Sequence, residues 1–362
     1  MKILLTGHTV PQSGVWGMGL SMSRPIYNLG LNLKKFGHDV KLLVRDDFIP
    51  KESWIETVHA PKFSWIPYPL YLSKKLGVEK ADVYHSDYVT TGAPFIWNKK
   101  KPCIVSVHDV IPFSYRLEDL RLKDIVITAW YRYCFRYIRK ADGLLFFTNW
   151  ARNEAIKLGL NPNKLYVAYH GFETDIYYPV KKENSDIIKI GYLGNMDGRK
   201  NAILLVETFK KLKELYGKKI ELHMVGDGKN LDLFKSMNID GATFYGRVTD
   251  KILLNKFYNS LDIFVFPSLN EGFGRPLGEA LHCGLPIVAC NASTSPEILG
   301  KSGVLVDPTI EGMVNGVKPL IEDETLRKKF SNLSLERAKI FTYENHAKRM
   351  LEIYRLVIEE RK

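Results

Sequence analysis

Short apolar runs alternate along this chain with segments whose apolar residues recur every three or four positions. Residues 2–6 (KILLT) form an apolar run, 23–36 carry helical spacing up to Gly37, and 40–44 are apolar again. That is a βαβ opening. Residues 82–85 and 103–108 read as further strands, 125–140 as a helix rich in aromatic and basic residues, and 141–148 as another strand. A polar stretch at 180–186 (VKKENSD) then breaks the pattern and reads as a linker. Beyond it the alternation restarts: a strand at 187–193, a helix through Leu204, Leu205, Phe209, Leu212 and Leu215, and strands at 220–225 and 243–248. Ile263–Phe266 is a buried-type strand ended by Pro267. A short helix follows, with Pro276 near its start and Gly284 past its end, and then a strand at 287–289. Residues 343–360 place Ala347, Met350, Leu351, Tyr354 and Val357 on one helical face. Only 48–78, rich in Pro and aromatic residues, shows neither period and reads as irregular. The pattern predicts an α/β protein of two Rossmann-like domains, 1–179 with the last helix 343–362, and 187–342.

Candidate chemistry collects where strands give way to helices. Gly272 and Gly274 lie between an apolar strand and a helix N-terminus, where backbone N–H groups can face an anion. Glu271 and Glu279 bracket them, and anion-facing amides flanked by hydroxyl-binding carboxylates suit a sugar nucleotide better than a free phosphate. Arg199 and Lys200 precede another helix, where cations oppose the helix dipole unless an anion joins them. His108 ends a predicted strand at the edge where open α/β sheets bind ligands. The glycines at 14, 17 and 19 run G-x-x-G-x-G in a long loop, which is not a dinucleotide fingerprint.

The stretch EGFGRPLGEALHCGLPIVA, with Glu-x7-Glu at its head, resembles the signature of retaining, family-4-type glycosyltransferases of the GT-B fold. GNMDGRKN and VSVHDVIP resemble two further blocks of that family. The resemblance implies two facing domains with a cleft between them and a last helix that crosses back to the first. It implies that Glu271 contacts the donor sugar, Glu279 the ribose, and His108 the sugar. Arg199 and Lys200 would neutralise the departing diphosphate in place of a metal ion, so that no cofactor is required. Gly17, Val248, Gly272, Phe273 and Gly274 complete the donor-binding set. GDP-mannose is the favoured donor, because GNMDGRKN and EGFGRP look most like the mannosyltransferase branch. A non-catalytic sugar-nucleotide-binding partner subunit and a sugar-nucleotide epimerase of the same fold are the alternatives.

Charge adds one expectation. The net charge is +12, and residues 1–170 hold 24 Lys and Arg against 14 Asp and Glu, whereas 171–362 hold 28 against 26. A basic first half points to an anionic partner. With no nucleic-acid reading motif in the chain, that partner is read as an anionic membrane surface or an acidic glycan. Trp54, Phe63, Trp65, Tyr68 and Tyr71 would sit at headgroup level, next to a glycan or lipid-linked acceptor. Cys103, Cys134, Cys283 and Cys290 show no metal spacing and read as reduced and buried. No run approaches the ~18 apolar residues of a membrane span, so the expected place is the cytoplasm, peripheral to the inner face of the membrane.

Overall fold

A computed structural model describes residues 1–8, 19–45, 50–60, 68–113, 122–182 and 185–361. Gly17, Phe63 and Trp65 lie outside the described residues. The chain divides into two compact units, Met1–Gly171 with Tyr343–Lys362, and Phe172–Thr342.

Unit 1 contains β1 (Lys2–Thr6), α1 (Gly19–Lys35), β2 (Asp39–Arg45), β3 (Ile55–Val58), α2 (Tyr68–Val78) and β4 (Val83–Ser86). It continues with α3 (Val89–Trp97), β5 (Cys103–Val107), α4 (Leu122–Ile138), β6 (Gly143–Phe146), α5 (Asn149–Lys157) and β7 (Leu165–Val167). The strands form one parallel sheet in the order β3-β2-β1-β4-β5-β6-β7. Every residue of β4, β5 and β6 is buried. Covered on both faces, such strands read as continuous apolar runs, not as an alternation.

One face of the sheet, with Leu4, Leu43, Tyr84, Val105 and Leu144, packs on α2, α3 and α4. The other face carries α1 and the last helix of the chain. A β-carbon on Gly30 of α1 would lie 3.3 Å from Leu5, and the buried His85 of β4 meets Tyr354. The ring of His85 is held at both nitrogens, Nδ1 at 2.7 Å from the Tyr354 hydroxyl and Nε2 at 2.9 Å from Ser106 Oγ.

The described part of 48–78 is more regular than the composition of that stretch suggests. β3 adds to the sheet edge beside β2, and α2 covers the core. Trp54 is buried 5.7 Å from the Tyr27 ring and fills the space a β-carbon on Gly30 would need. Tyr68 is also buried and donates its hydroxyl to Gly7 O at 2.9 Å. Neither is a headgroup residue: both aromatic rings are part of the core, where apolar burial outweighs any interfacial role.

Unit 2 contains β8 (Ile188–Leu193), α6 (Ala202–Tyr216), β9 (Ile220–Val225), α7 (Leu231–Ser236), β10 (Ala242–Gly246) and α8 (Lys251–Ser260). Then come β11 (Ile263–Phe266), α9 (Arg275–His282), β12 (Ile287–Cys290), α10 (Ser295–Leu299), β13 (Val304–Val306), α11 (Ile310–Glu322) and α12 (Glu324–Ala338). Its parallel sheet runs β10-β9-β8-β11-β12-β13. The chain then returns to unit 1 as α13 (Tyr343–Glu359).

Both passages of the chain between the units lie at one place. A β-carbon on Gly171 would fall 2.5 Å from the Tyr343 backbone, and Phe172 pairs with Thr342. The passage therefore precedes the polar stretch 180–186. That stretch is tied to unit 2, where Val180 N donates to Asn259 Oδ1 at 2.7 Å and Lys182 pairs with Asp262 at 2.6 Å. Among the described residues, no helix is long and apolar enough to cross a membrane.

Two buried histidines give unit 1 a pH-dependent stability. Burial, reinforced by the nearby His346 and His108, lowers the pKa of His85 to about 3. Burial also lowers His346, which donates from Nδ1 to Tyr169 O at 2.8 Å, to about 4. In the unfolded chain both titrate near 6.5. Their contribution is therefore complete above about pH 6.5 and is lost as pH falls toward the folded values, at up to ~1.4 kcal/mol per pH unit for each group. Thermal melts at pH 7.5, 6.0 and 5.0 should show a falling midpoint. Tyr354→Phe, which leaves His85 Nδ1 without its partner, should cost about 1–3 kcal/mol at pH 7.5. A flat pH profile together with an unshifted Tyr354→Phe melt contradicts this account.

Candidate functional site

In an open parallel sheet, the loops at the carboxyl ends of two strands diverge where the strand order reverses, and a crevice opens between them. In unit 2 that reversal lies between β8 and β11. The loop after β8 runs into a 3₁₀ turn, Gly198–Lys200, which carries Arg199 and Lys200, and α6 follows. Asn201 joins turn to helix in a left-handed conformation, φ 52°, which a short polar side chain tolerates. The loop after β11 carries Ser268 and Glu271 to Gly274, the N-cap of α9, at φ 82°. A side chain at 274 would be strained, and its β-carbon would lie 3.3 Å from the Phe266 ring. The two loops are joined by Leu269 N donating to Arg199 O at 2.9 Å.

Their side chains converge on one buried carboxylate. Arg199 Nη1 lies 3.2 Å from Glu271 Oε2 and also donates to Asn270 O at 2.6 Å. Lys200 Nζ pairs with Glu271 Oε1, which also accepts from Ser268 Oγ at 2.6 Å. Glu271 N donates to Ser293 Oγ at 3.1 Å. Ser293 itself stands at φ 45°, a conformation that costs a non-glycine residue about 1–3 kcal/mol and clusters at ligand sites. Burial is the largest influence on Glu271 and raises its pKa. The charges of Lys200 and Arg199, with hydrogen bonds from Lys200 and Ser268, outweigh it and hold the carboxyl below its usual range. The site thus keeps a buried, ionised carboxylate beside a half-buried lysine and an exposed arginine, a set that can bind sugar hydroxyls and phosphate oxygens.

Glu279, one turn into α9, belongs to a second cluster. It accepts from the buried Tyr258 hydroxyl at 2.9 Å and lies 3.7 Å from Arg275. Arg275 also stands 3.7 Å from Glu173, which Lys251 approaches at 2.9 Å, and its guanidinium covers the Phe172 ring at 4.9 Å. Val248 lies half-buried in the loop after β10. Phe273 is buried and packs 5.8 Å from Phe172, with its carbonyl accepting from Thr294 Oγ1 at 3.1 Å.

In unit 1 the strand order reverses between β1 and β4, and polar side chains collect at that edge. His8 follows β1 and meets Thr90 Oγ1 at 2.9 Å. Asp87 follows β4, and His108 follows β5 with Nε2 at 2.8 Å from Asp87 O and 3.3 Å from Asp87 Oδ1. A carbonyl only accepts, so Nε2 carries the proton and Nδ1 is the acceptor in the neutral ring. Burial raises Asp87 to about 6, against the opposing pull of His108. The His108 ring stacks on His170 at 5.5 Å and lies 4.7 Å from Phe147.

Sequence spacing brings out Arg199, Lys200, Glu271, Glu279 and His108. It misses Ser268, Ser293, Tyr258, Glu173 and Asp87. Asp87 has the one readable signal, since it ends a strand just as His108 does. The others follow from loop geometry that no spacing records.

Residues 188–323 match the family model of glycosyl transferases group 1, and residues 22–176 match that of glycosyltransferase family 4. The O-antigen chain mannosyltransferase B of Escherichia coli is 30% identical over 173 residues, covering 46% of this chain and 45% of that protein. The N-acetylgalactosamine-N,N'-diacetylbacillosaminyl-diphospho-undecaprenol 4-alpha-N-acetylgalactosaminyltransferase of Campylobacter jejuni is 31% identical over 164 residues, 41% of each chain. The matches thus span less than half the length of these two relatives. Among solved structures, sucrose-phosphate synthase from Thermosynechococcus elongatus superposes with a TM-score of 0.78 over 99% of this chain and 100% of that one, at 18% identity. That likeness shows the GT-B fold.

The Glu271 cluster makes a prediction about stability. Lys200→Met leaves a buried carboxylate with one cation fewer and should cost about 2–3 kcal/mol. In a Glu271→Gln background the same change should cost at least about 1 kcal/mol less. Denaturant unfolding of the four proteins measures this coupling, and additive losses would mean that the pair is not coupled.

Proposed function

Since this chain belongs to the glycosyltransferases of group 1 and family 4, we propose that it transfers a hexose from a nucleoside-diphosphate sugar to a glycan or lipid-linked acceptor, with retained anomeric configuration. The observation that carries this reading is the meeting of Arg199, Lys200 and Glu271 at the strand-order reversal of unit 2. In sugar transfer the C1–O bond to the diphosphate breaks while the acceptor oxygen bonds C1 on the same face. The acceptor's proton leaves with the diphosphate oxygen. Negative charge therefore gathers on the diphosphate in the transition state, and fixed cations are worth most there.

The cluster supports a division of labour. Arg199 and Lys200 turn from the Glu271 carboxylate to the diphosphate. Glu271, still ionised, accepts from hydroxyls of the transferred hexose. The backbone of Gly272, Phe273 and Gly274, at the N-terminus of α9, faces the donor phosphates. Glu279 takes the ribose, Gly17 and Val248 complete the donor set, and His108 offers Nδ1 to a sugar hydroxyl. Arg199 and Lys200 supply the charge that a divalent ion supplies in other transferases, and no further cofactor enters the scheme. GDP-mannose is the proposed donor, supported by the mannosyltransferase relative at 30% identity. A polyprenyl-diphosphate-linked glycan is an acceptor class compatible with the name of the Campylobacter relative. The place of work is the cytoplasm.

Two sets of measurements test this reading. Glu271→Ala should lower kcat by on the order of 10² or more. Arg199→Ala and Lys200→Ala should each weaken the affinity for GDP by about 10-fold or more, because each removes a charge-assisted bond of about 1.5–3 kcal/mol. Unchanged GDP affinity in both variants, or near-normal turnover by Glu271→Ala, would remove the site assignment. In a donor panel, GDP-mannose should be consumed, with turnover surviving EDTA and product of retained configuration. Turnover of UDP-sugars alone would replace the donor, and an inverted product would replace the mechanism.

A further inference from the structure

The α2–α3–α4 layer of unit 1 leaves a strip of large apolar side chains in solvent, although its inner faces are fully used in the core. Leu70 of α2 is 54% exposed, and Val126 and Tyr133 of α4 are 45% and 44% exposed. They border an open groove of about 690 Å³, lined also by Trp97, Ile125 and Trp130. Its rings form a ladder: Trp130 stacks on Tyr133 at 5.4 Å, Tyr133 meets Tyr137 at 5.1 Å, and Tyr137 meets Trp97 edge-on at 6.0 Å. Val126 and Tyr133, seven residues apart, lie on one stripe of α4, which Arg136 flanks, and Lys140 stands in the turn just past the helix.

The charge of the same layer is one-sided. Residues 68–78, 89–102 and 122–140 hold ten Lys and Arg against one acidic residue, Asp124. Lys74, Lys99, Arg136 and Lys140 are exposed. Much of the positive excess of the first half of the chain is therefore concentrated in the layer that also exposes the aromatic groove.

We propose that this layer docks on a bilayer containing anionic lipids, with Trp97, Trp130 and Tyr133 at headgroup depth and Leu70 and Val126 entering the acyl boundary. Lys74, Arg136 and Lys140 meet lipid phosphates around that contact. Trp and Tyr favour the interface, where one end of the ring is apolar and the other wet. Each nearby cation adds affinity for an anionic leaflet. The other classes of occupant fit less well. Protein interfaces are depleted in Lys, and a nucleic acid has no use for an exposed aliphatic groove rim. The proposal moves the membrane-facing aromatic residues from Trp54 and Tyr68, which are core, to α3 and α4. It is independent of the sugar-transfer reading, because docking needs neither donor nor acceptor.

The test is sedimentation of the full chain with vesicles of phosphatidylcholine, with and without phosphatidylglycerol, at low and high salt. One variant carries Leu70→Ser, Val126→Ser and Tyr133→Ser, and a second carries Lys74→Gln, Arg136→Gln and Lys140→Gln. A charge-matched control carries Lys218→Gln, Lys219→Gln and Lys301→Gln in unit 2. All nine residues are exposed, and thermal melts confirm that each protein is folded. The wild type should bind anionic vesicles, weakly at high salt. The second variant should lose about a hundredfold in partitioning, the first should lose binding at both salt concentrations, and the control should bind as the wild type does. Recovery of the wild type in the supernatant with both vesicle types overturns the proposal. So does an equal loss in the control, or wild-type binding by the apolar variant.

Discussion

An ionised carboxylate buried in a protein must be met by cations, because the loss of hydration is otherwise larger than folding can absorb. In unit 2 that requirement falls on Glu271, and it shapes both loops at the reversal of strand order. The turn after β8 has to deliver Arg199 and Lys200, and the loop after β11 has to bring Ser268 within reach. Ser293 accepts a left-handed backbone while it receives the Glu271 N–H. The cluster is charged, and two cations beside one carboxylate form a set that can bind phosphate oxygens and hydroxyls. On the proposed reading, Arg199 and Lys200 exchange this carboxylate for the donor diphosphate, while the two loops stay joined by the Leu269 N–Arg199 O hydrogen bond; cations held in place in this way are what electrostatic catalysis depends on.

Unit 1 meets the same difficulty in the opposite way. Burial holds His85 and His346 neutral, and their polar atoms are matched to hydroxyl and carbonyl partners. Tyr354 and His346 both belong to α13, the segment that returns after the whole of unit 2 has been built. Completion of the unit 1 core therefore awaits the last helix, which ties the stability of the first unit to the end of the chain. The outer surface of the same unit shows a third treatment of polarity, in which the exposed cations Lys74, Arg136 and Lys140 lie on the layer that also exposes aromatic rings.

The alternation of short apolar runs with helical periods was enough to read two α/β units, because strands covered on both faces leave continuous apolar runs in any sequence. Ile263–Phe266, Pro267 and the glycines beyond them likewise announced a strand, a loop and a helix start, and so brought Glu271 and Gly274 to notice. Arg199 and Lys200 were legible as cations set against a helix dipole. The sequence could not say that the anion beside them is Glu271, 72 and 71 residues further on.

Composition misread the stretch from 48 to 78. Its aromatic residues suggested a surface, yet Trp54 and Tyr68 are buried, because an aromatic ring contributes equally to a core and to an interface and only packing decides between them. The polar residues 180–186 suggested a passage between units, whereas hydrogen bonds to Asn259 and Asp262 attach them to the second. What the sequence determined by itself was local: the period of each element, the residues that end it, and the chemistry of single side chains. Tertiary structure decided which side chains share a carboxylate, which rings are covered, and where apolar side chains of three separate helices line one groove. Those are distances between residues far apart in the chain, and no spacing along it records them.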